Sequence, residues 1–211
     1  SNNDNHFDLF SASGQEFIVV YLEYDTNAAP AVLSWANGLL QTYASRQAIV
    51  VTHYFCRTGN PAPWGEQGEA IYNALKGNPN LFMLLCGHIA GEGSRTDVFN
   101  DHAVHTLMAD YQYRTNGGNG MLRLLQFSPS NQVVRVQTYS PWTDQYERDA
   151  DSQFTIPHDM TPQAQPSDAA FAELQSGAGV SSDSVARFAW SGLRPNTTYE
   201  WYVTVTDSLG N

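Results

Sequence analysis

Two apolar runs that each stop at a histidine constrain this chain more than anything else in it. Leu81-Phe-Met-Leu-Leu-Cys-Gly-His88 is apolar until it meets Gly-His, and Ala48-Ile-Val-Val-Thr-His53 upstream is built the same way. Each reads as a strand buried on both faces, with a histidine just past its C-terminal end. Open α/β sheets place their ligand sites at that edge. Neutral imidazole is the commonest metal ligand among side chains. The pair therefore suggests half of a metal centre contributed by two strands.

Around these runs the pattern alternates. Gln15 to Leu22 reads as a strand, and Val32, Trp35, Ala36, Leu39, Leu40 and Tyr43 follow at helical spacing. Ala48 to Thr52 is the second strand, Glu66 to Leu75 a second helix closed by Gly77-Asn-Pro, and Leu81 to Cys86 the third strand. Strand, helix, strand, helix, strand implies right-handed crossovers and a largely parallel sheet. After His88 the rhythm changes. Ala103 to Tyr111, Met121 to Phe127 and Val133 to Tyr139 are strand-like and separated by turn signals at 116–120 and 128–131, as in an antiparallel meander. Three prolines from Pro157 to Pro166 mark a linker. Beyond it, Val185 to Trp190 and the turn Leu193-Arg-Pro leading to Tyr199 carry the tyrosine-corner pattern of a β-sandwich, in a segment too short to complete one.

Composition bounds the function. Lys+Arg of 10 against Asp+Glu of 21 gives a net charge of -11, which disfavours nucleic acid as a surface partner. No segment has the length of a membrane span, and Ser1 to His6 has no signal-peptide pattern. The two cysteines, Cys56 and Cys86, stand close to the two histidines; a disulfide and two buried thiols are both open to them.

Taken together, Val51-Thr-His53, Cys86-Gly-His88-Ile-Ala-Gly-Glu-Gly-Ser-Arg95, Ala109-Asp-Tyr-Gln112, Gly117 to Arg123 and Thr138-Tyr-Ser-Pro-Trp142 resemble the C-terminal half of a calcineurin-like metallophosphoesterase of the secreted bacterial type with an Ig/fibronectin-like tail. The resemblance implies an α/β fold, part of an αββα sandwich in which βαβαβ is followed by an antiparallel meander, plus an incomplete β-sandwich-like C-terminal segment. The implied boundaries are 1–157 for the phosphoesterase part, 158–166 for the linker and 167–211 for the tail. It further implies a metal-dependent phosphomono- or diesterase working on a phosphate ester substrate outside the cytoplasm, extracellular or periplasmic. His53 matches the family's lone histidine after a strand, and His88 the first histidine of its closing Gly-His-x-His. Both would ligate one divalent ion (Mn, Fe or Zn) in a site this chain forms only in part, and Arg95 would contact the phosphate.

Two departures stand against a complete dinuclear centre. Ala90 occupies the place of the second closing histidine, and nothing before His53 reads as the family's aspartate-bearing motifs. No catalytic residue is therefore assigned. The chain is expected to be incomplete alone and to self-associate or pair with a missing N-terminal segment. The reading from another class is a non-catalytic extracellular binding or assembly module on a degenerate phosphoesterase scaffold. Taken singly, His53 is an ordinary loop histidine; its pairing with His88 in the matching context raises both to metal ligands. Arg95, in a glycine-rich loop, is apart from the resemblance a solvated charge or a partner of Glu92. His102 and His105 are expected to be structural.

Overall fold

The computed structural model describes residues 4–160, 175–181 and 184–191. Contacts divide the chain into two units, Ser1–Gln163 and Ala164–Asn211. In the first unit, β1 (His6–Ala12) and β2 (Gln15–Tyr21) form a hairpin whose turn residues Ser13 and Gly14 both have positive φ. Helix α1 (Pro30–Thr42) leads to β3 (Gln47–Val51), and α2 (Gly68–Leu75) leads to β4 (Leu81–Cys86). Next come β5 (Gly91–Phe99) and β6 (His102–Asp110), joined through Asn100 and Asp101, again at positive φ. These six strands make one sheet in the order β1-β2-β3-β4-β6-β5, with β2, β3, β4 and β6 parallel. A second sheet contains β7 (Leu122–Ser128), β8 (Val133–Ser140), β9 (Gln145–Glu147) and β10 (Gln153–Pro157), paired antiparallel around β8.

The strand pleat sends alternate residues of the first sheet to two cores. Ile18, Val20, Ala48, Val50 and Leu84 pack with Ala36 and Leu40 of α1 and with Ile71, Tyr72 and Leu75 of α2. Phe17, Val19, Ile49, Met83 and Leu107 face the other way, onto Val134, Val136 and Ile156 of the second sheet. Each fully buried Leu, Ile or Phe contributes roughly 1.5–3 kcal/mol of transfer free energy. The strands buried on both faces thus hold three layers together. Helix α2 docks closely: a Cβ on Gly68 would lie 1.9 Å from the Phe55 carbonyl oxygen, so only glycine fits there.

The expected αββα sandwich is not what the chain forms. The structure is mostly β, in two sheets, and both helices cover one face of the larger sheet; among the described residues the outer face of the second sheet carries no helix. The segments after β6 alternate in burial, residue by residue, and none has the helical period a fourth layer needs. Nor do the strands after His88 form one meander. The chain folds back as β5 and inserts β6 beside β4 before starting the second sheet. The segment from Gly91 to Phe99, to which the sequence pattern assigned no element, is a strand. In the second unit, Val185 to Trp190 carries no strand assignment. The linker from 161 onward and the proposed tyrosine corner at 193–199 lie outside the described residues. Among the described residues no helix is long and apolar enough to cross a membrane.

Candidate metal centre

The C-terminal ends of β2, β3 and β4 lie side by side, and the loops leaving them are tied together by buried hydrogen bonds. Beyond β3, the Thr52 hydroxyl donates to the Leu22 carbonyl at 2.8 Å and accepts from Gln67 Nε2 at 3.1 Å. The Gln67 side-chain oxygen Oε1 in turn accepts the Asp25 N–H at 3.0 Å. Loop to loop, the Gly87 N–H donates to the His53 carbonyl at 3.1 Å. The backbone then turns tightly at His88, with φ of 74° and the Ile89 N–H returning to the Gly87 carbonyl at 3.0 Å. That is a γ-turn of the rarer, strained kind. Strain of this sort persists only where the surroundings enforce it, and it gathers at functional sites.

This geometry brings the two histidines into contact. Nδ1 of His88 lies 2.6 Å from Nε2 of His53, with ring centroids 4.5 Å apart and planes inclined by 65°. Two aromatic rings wall the pair. Tyr24 sits 5.5 Å from His53 and 5.9 Å from His88, and Tyr54 sits 4.9 Å from His88. The Tyr24 hydroxyl donates to Glu66 at 3.1 Å, and that hydrogen bond raises its pKa above the ordinary tyrosine value. The buried Tyr54 hydroxyl has no hydrogen-bond partner. Ring nitrogens at this distance are hydrogen-bonded to each other. Placing a cation between them needs only a small opening, since two metal–nitrogen bonds of ~2.0–2.1 Å in a tetrahedral shell set the nitrogens about 3.3 Å apart. The donor set fits two positions of one ion.

Arg95 is placed elsewhere. On β5 its guanidinium makes a bidentate pair with Asp97, both bonds 2.7 Å, donates to the Ala62 carbonyl at 2.7 Å, and stacks over Trp64 at 3.9 Å. Its partner is Asp97, not Glu92, and its donors are engaged within the fold. Ala90 is exposed. His102 hydrogen-bonds the Leu81 carbonyl, and His105 Nδ1 hydrogen-bonds the Thr96 hydroxyl at 2.9 Å.

A second constellation, absent from the sequence reading, surrounds Glu92. Its Oε1 accepts Thr138 Oγ1 at 2.7 Å, Tyr111 Oη at 2.8 Å and Arg123; its Oε2 accepts Ser152 Oγ at 2.7 Å and Arg114 at 3.3 Å. Arg114 also pairs with Glu147 at 2.6 Å. Burial alone would raise the Glu92 carboxyl, but the Thr138, Ser152 and Tyr111 hydroxyls and the Arg123 charge outweigh it and hold the pKa below the usual carboxylate range. Burial also lifts the Tyr111 hydroxyl to about 12. Glu92, Glu147 and Asp149 bring oxygen atoms within 4.8 Å of one another and could hold a metal ion. Two guanidinium groups already neutralise that cluster, so its chemistry is first that of a buried ion-pair knot. The parts come from five separate segments, and no local spacing in the sequence announces them.

No family model matches the chain. The chain is 33% identical over 230 aligned positions to the uncharacterized protein YvnB of Bacillus subtilis (strain 168), taking in 99% of this chain and 18% of that protein. The chain thus spans less than a fifth of the length of the curated relative it matches. Among solved structures, GAP50, the anchor in the inner membrane complex of Plasmodium, superposes with a TM-score of 0.48 at 11% identity, covering 74% of this chain and 54% of that one. A superposition that partial fixes neither family nor activity.

Proposed function

We propose that this chain is part of a metal-dependent phosphoric ester hydrolase of the calcineurin-like metallophosphoesterase type, acting outside the cytoplasm, and that His53 and His88 are two ligands of one divalent ion. One observation carries the reading: imidazole nitrogens from two different strand ends lie 2.6 Å apart at the ligand-binding edge of the parallel strands. A bound Mn, Fe or Zn ion would supply Lewis acidity toward a phosphoryl oxygen and a more acidic water. The chain's own residues do the positioning. The γ-turn fixes His88, the Gly87–His53 hydrogen bond sets the loop spacing, and Tyr24 and Tyr54 restrict how the rings rotate. Ligands completing the shell, a bridging carboxylate among them, are proposed to come from a further segment of a longer polypeptide.

Cobalt titration followed by its visible absorption tests the reading. The chain should bind the ion, and His53→Ala or His88→Ala should each weaken binding by about tenfold or more, the equivalent of ~1.4 kcal/mol. Equal affinity in all three proteins would overturn it. In the longer protein the same substitutions should abolish hydrolysis of p-nitrophenyl phosphate or its bis ester. Exposed Ala90, where the resemblance requires a histidine, favours a second reading: a non-catalytic module that keeps one metal site. Metal binding without ester hydrolysis in the longer protein would select that reading.

A further inference from the structure

The two cysteines join the same two elements as the histidines without touching the ion site's nitrogens. Cys56, fully buried, follows His53 in the loop after β3 and pairs through its backbone with Trp64. Cys86, half-buried, ends β4 just before Gly87 and His88. Both thiols are free, and the Cys86 side chain packs against the small buried cluster that contains Cys56. Met108 and Ala62 enclose the pair, with Trp64 and Ile89 against it. The chain contains no third cysteine to compete.

We propose that Cys56 and Cys86 close as an intramolecular disulfide that staples the His53 loop to the strand end bearing His88. The two cysteines border one small cluster on segments already tied by the Gly87–His53 backbone hydrogen bond, so closure needs a short approach of side chains rather than a rearrangement of the sheet. The oxidant is a low-molecular-weight disulfide. Cys86, the more exposed sulfur, attacks it and forms a mixed disulfide, expelling one thiolate that takes up the Cys86 proton. Cys56 then attacks the Cys86 sulfur and expels the second, which takes up the Cys56 proton. Two protein thiols are oxidised and one small disulfide is reduced to two thiols. The bridge closes the loop from Cys56 to Cys86, which contains α2, and removes unfolded-state freedom accordingly. The bridge itself is independent of metal; tighter ion binding in the bridged form is a consequence that rests on the reading of His53 and His88 above.

The test is to equilibrate the full chain with oxidised glutathione, denature it, alkylate remaining thiols and map the peptides. The expected result is denatured chains not linked to one another and with no alkylated cysteine, one linked peptide containing Cys56 and Cys86, and a melting temperature raised by about 5–10 °C over the reduced protein. Cys56→Ala should instead retain a glutathione adduct on Cys86 and show no such rise. Two alkylated cysteines, a persistent adduct on the unsubstituted chain, or chains linked to one another would overturn the proposal. Should Cys56→Ala fail to fold, the peptide map of the unsubstituted chain decides alone. Bridge formation in the His53→Ala/His88→Ala double variant should be unchanged, which separates failure of the bridge from failure of the metal reading.

Discussion

Replacing Glu92 by glutamine removes one charge from a site built around it, and the structure sets the size of the effect. The Glu92 side chain is 5% exposed and that of Arg123 is 9% exposed. Two further nitrogens of Arg123, Nε and Nη1, are buried without partners, so Glu92 is its principal compensation. Removing one member of a buried ion pair typically costs about 3–5 kcal/mol, because the other charge stays buried. The amide also turns a hydrogen-bond donor toward Ser152 or Arg114, where the carboxylate accepted. Arg114 is a third exposed and keeps Glu147, so its share is small. For a domain of this size each kcal/mol shifts the melting temperature by about 2–4 °C. Glu92→Gln should therefore melt about 6–20 °C below the parent at pH 7 by circular dichroism.

The pH dependence supplies a second readout. The folded pKa of Glu92 lies below its unfolded value, so its contribution is fully present above the ordinary carboxylate pKa. It is lost as pH falls through the folded value. The gap between parent and Glu92→Gln should narrow below about pH 4. Replacing both partners, Glu92→Leu with Arg123→Met, should cost less than Glu92→Leu alone, since no orphan charge remains. A melting shift under about 2 °C for Glu92→Gln, or a gap constant down to pH 2, would show that solvent rather than the knot carries these charges.

Two helical glycines should respond in opposite directions. Gly38 in α1 has open space where a Cβ would go, so Gly38→Ala should stabilise by about 0.5–1 kcal/mol; Gly68→Ala in α2 meets the Phe55 carbonyl oxygen at 1.9 Å and should destabilise despite the same gain in helix propensity. Urea midpoints measure both, and a stabilised Gly68→Ala would mean that α2 is free to shift. The outward face of the second sheet exposes Leu122, Leu124, Tyr146 and Trp142, the last at 82%. With the open β7 edge, that face should drive self-association at micromolar concentration; a clean monomer by light scattering would refute it.

What could be read from the sequence, and what could not, divides along a physical line. Strands buried on both faces appear as unbroken apolar runs, so β4 was legible to its first and last residue, and β3 nearly so. α1 and α2 were legible because one buried stripe repeats every 3.6 residues. A histidine at the end of such a run inherits its position from the strand, and parallel neighbours put both histidines at one edge. β1 and β5 escaped notice because edge strands are half solvated. Leu9 and Phe10 of β1 are both exposed, and β5 opens with Gly91-Glu-Gly93, which imitates a loop. Gly93 is there for another reason: a Cβ would lie 2.2 Å from the Arg57 carbonyl oxygen. The layer count failed because it rested on resemblance rather than on periodicity.

The same division bears on the two candidate ion sites. His53 and His88 have few competing partners, which is what a pair awaiting a cation requires. The Glu92 cluster has its oxygens filled by three hydroxyls and two guanidinium groups, and a cation entering it would have to displace at least one arginine. Substituting Arg114 to open that cluster would trade the Glu147 pair for an ion, whereas the histidines take one by a small parting of their rings. Cobalt titration of His53→Ala, His88→Ala and Glu147→Gln tells which of the two sites the ion occupies: binding lost in the histidine variants and kept in Glu147→Gln assigns it to the pair, and the reverse assigns it to the Glu92 cluster.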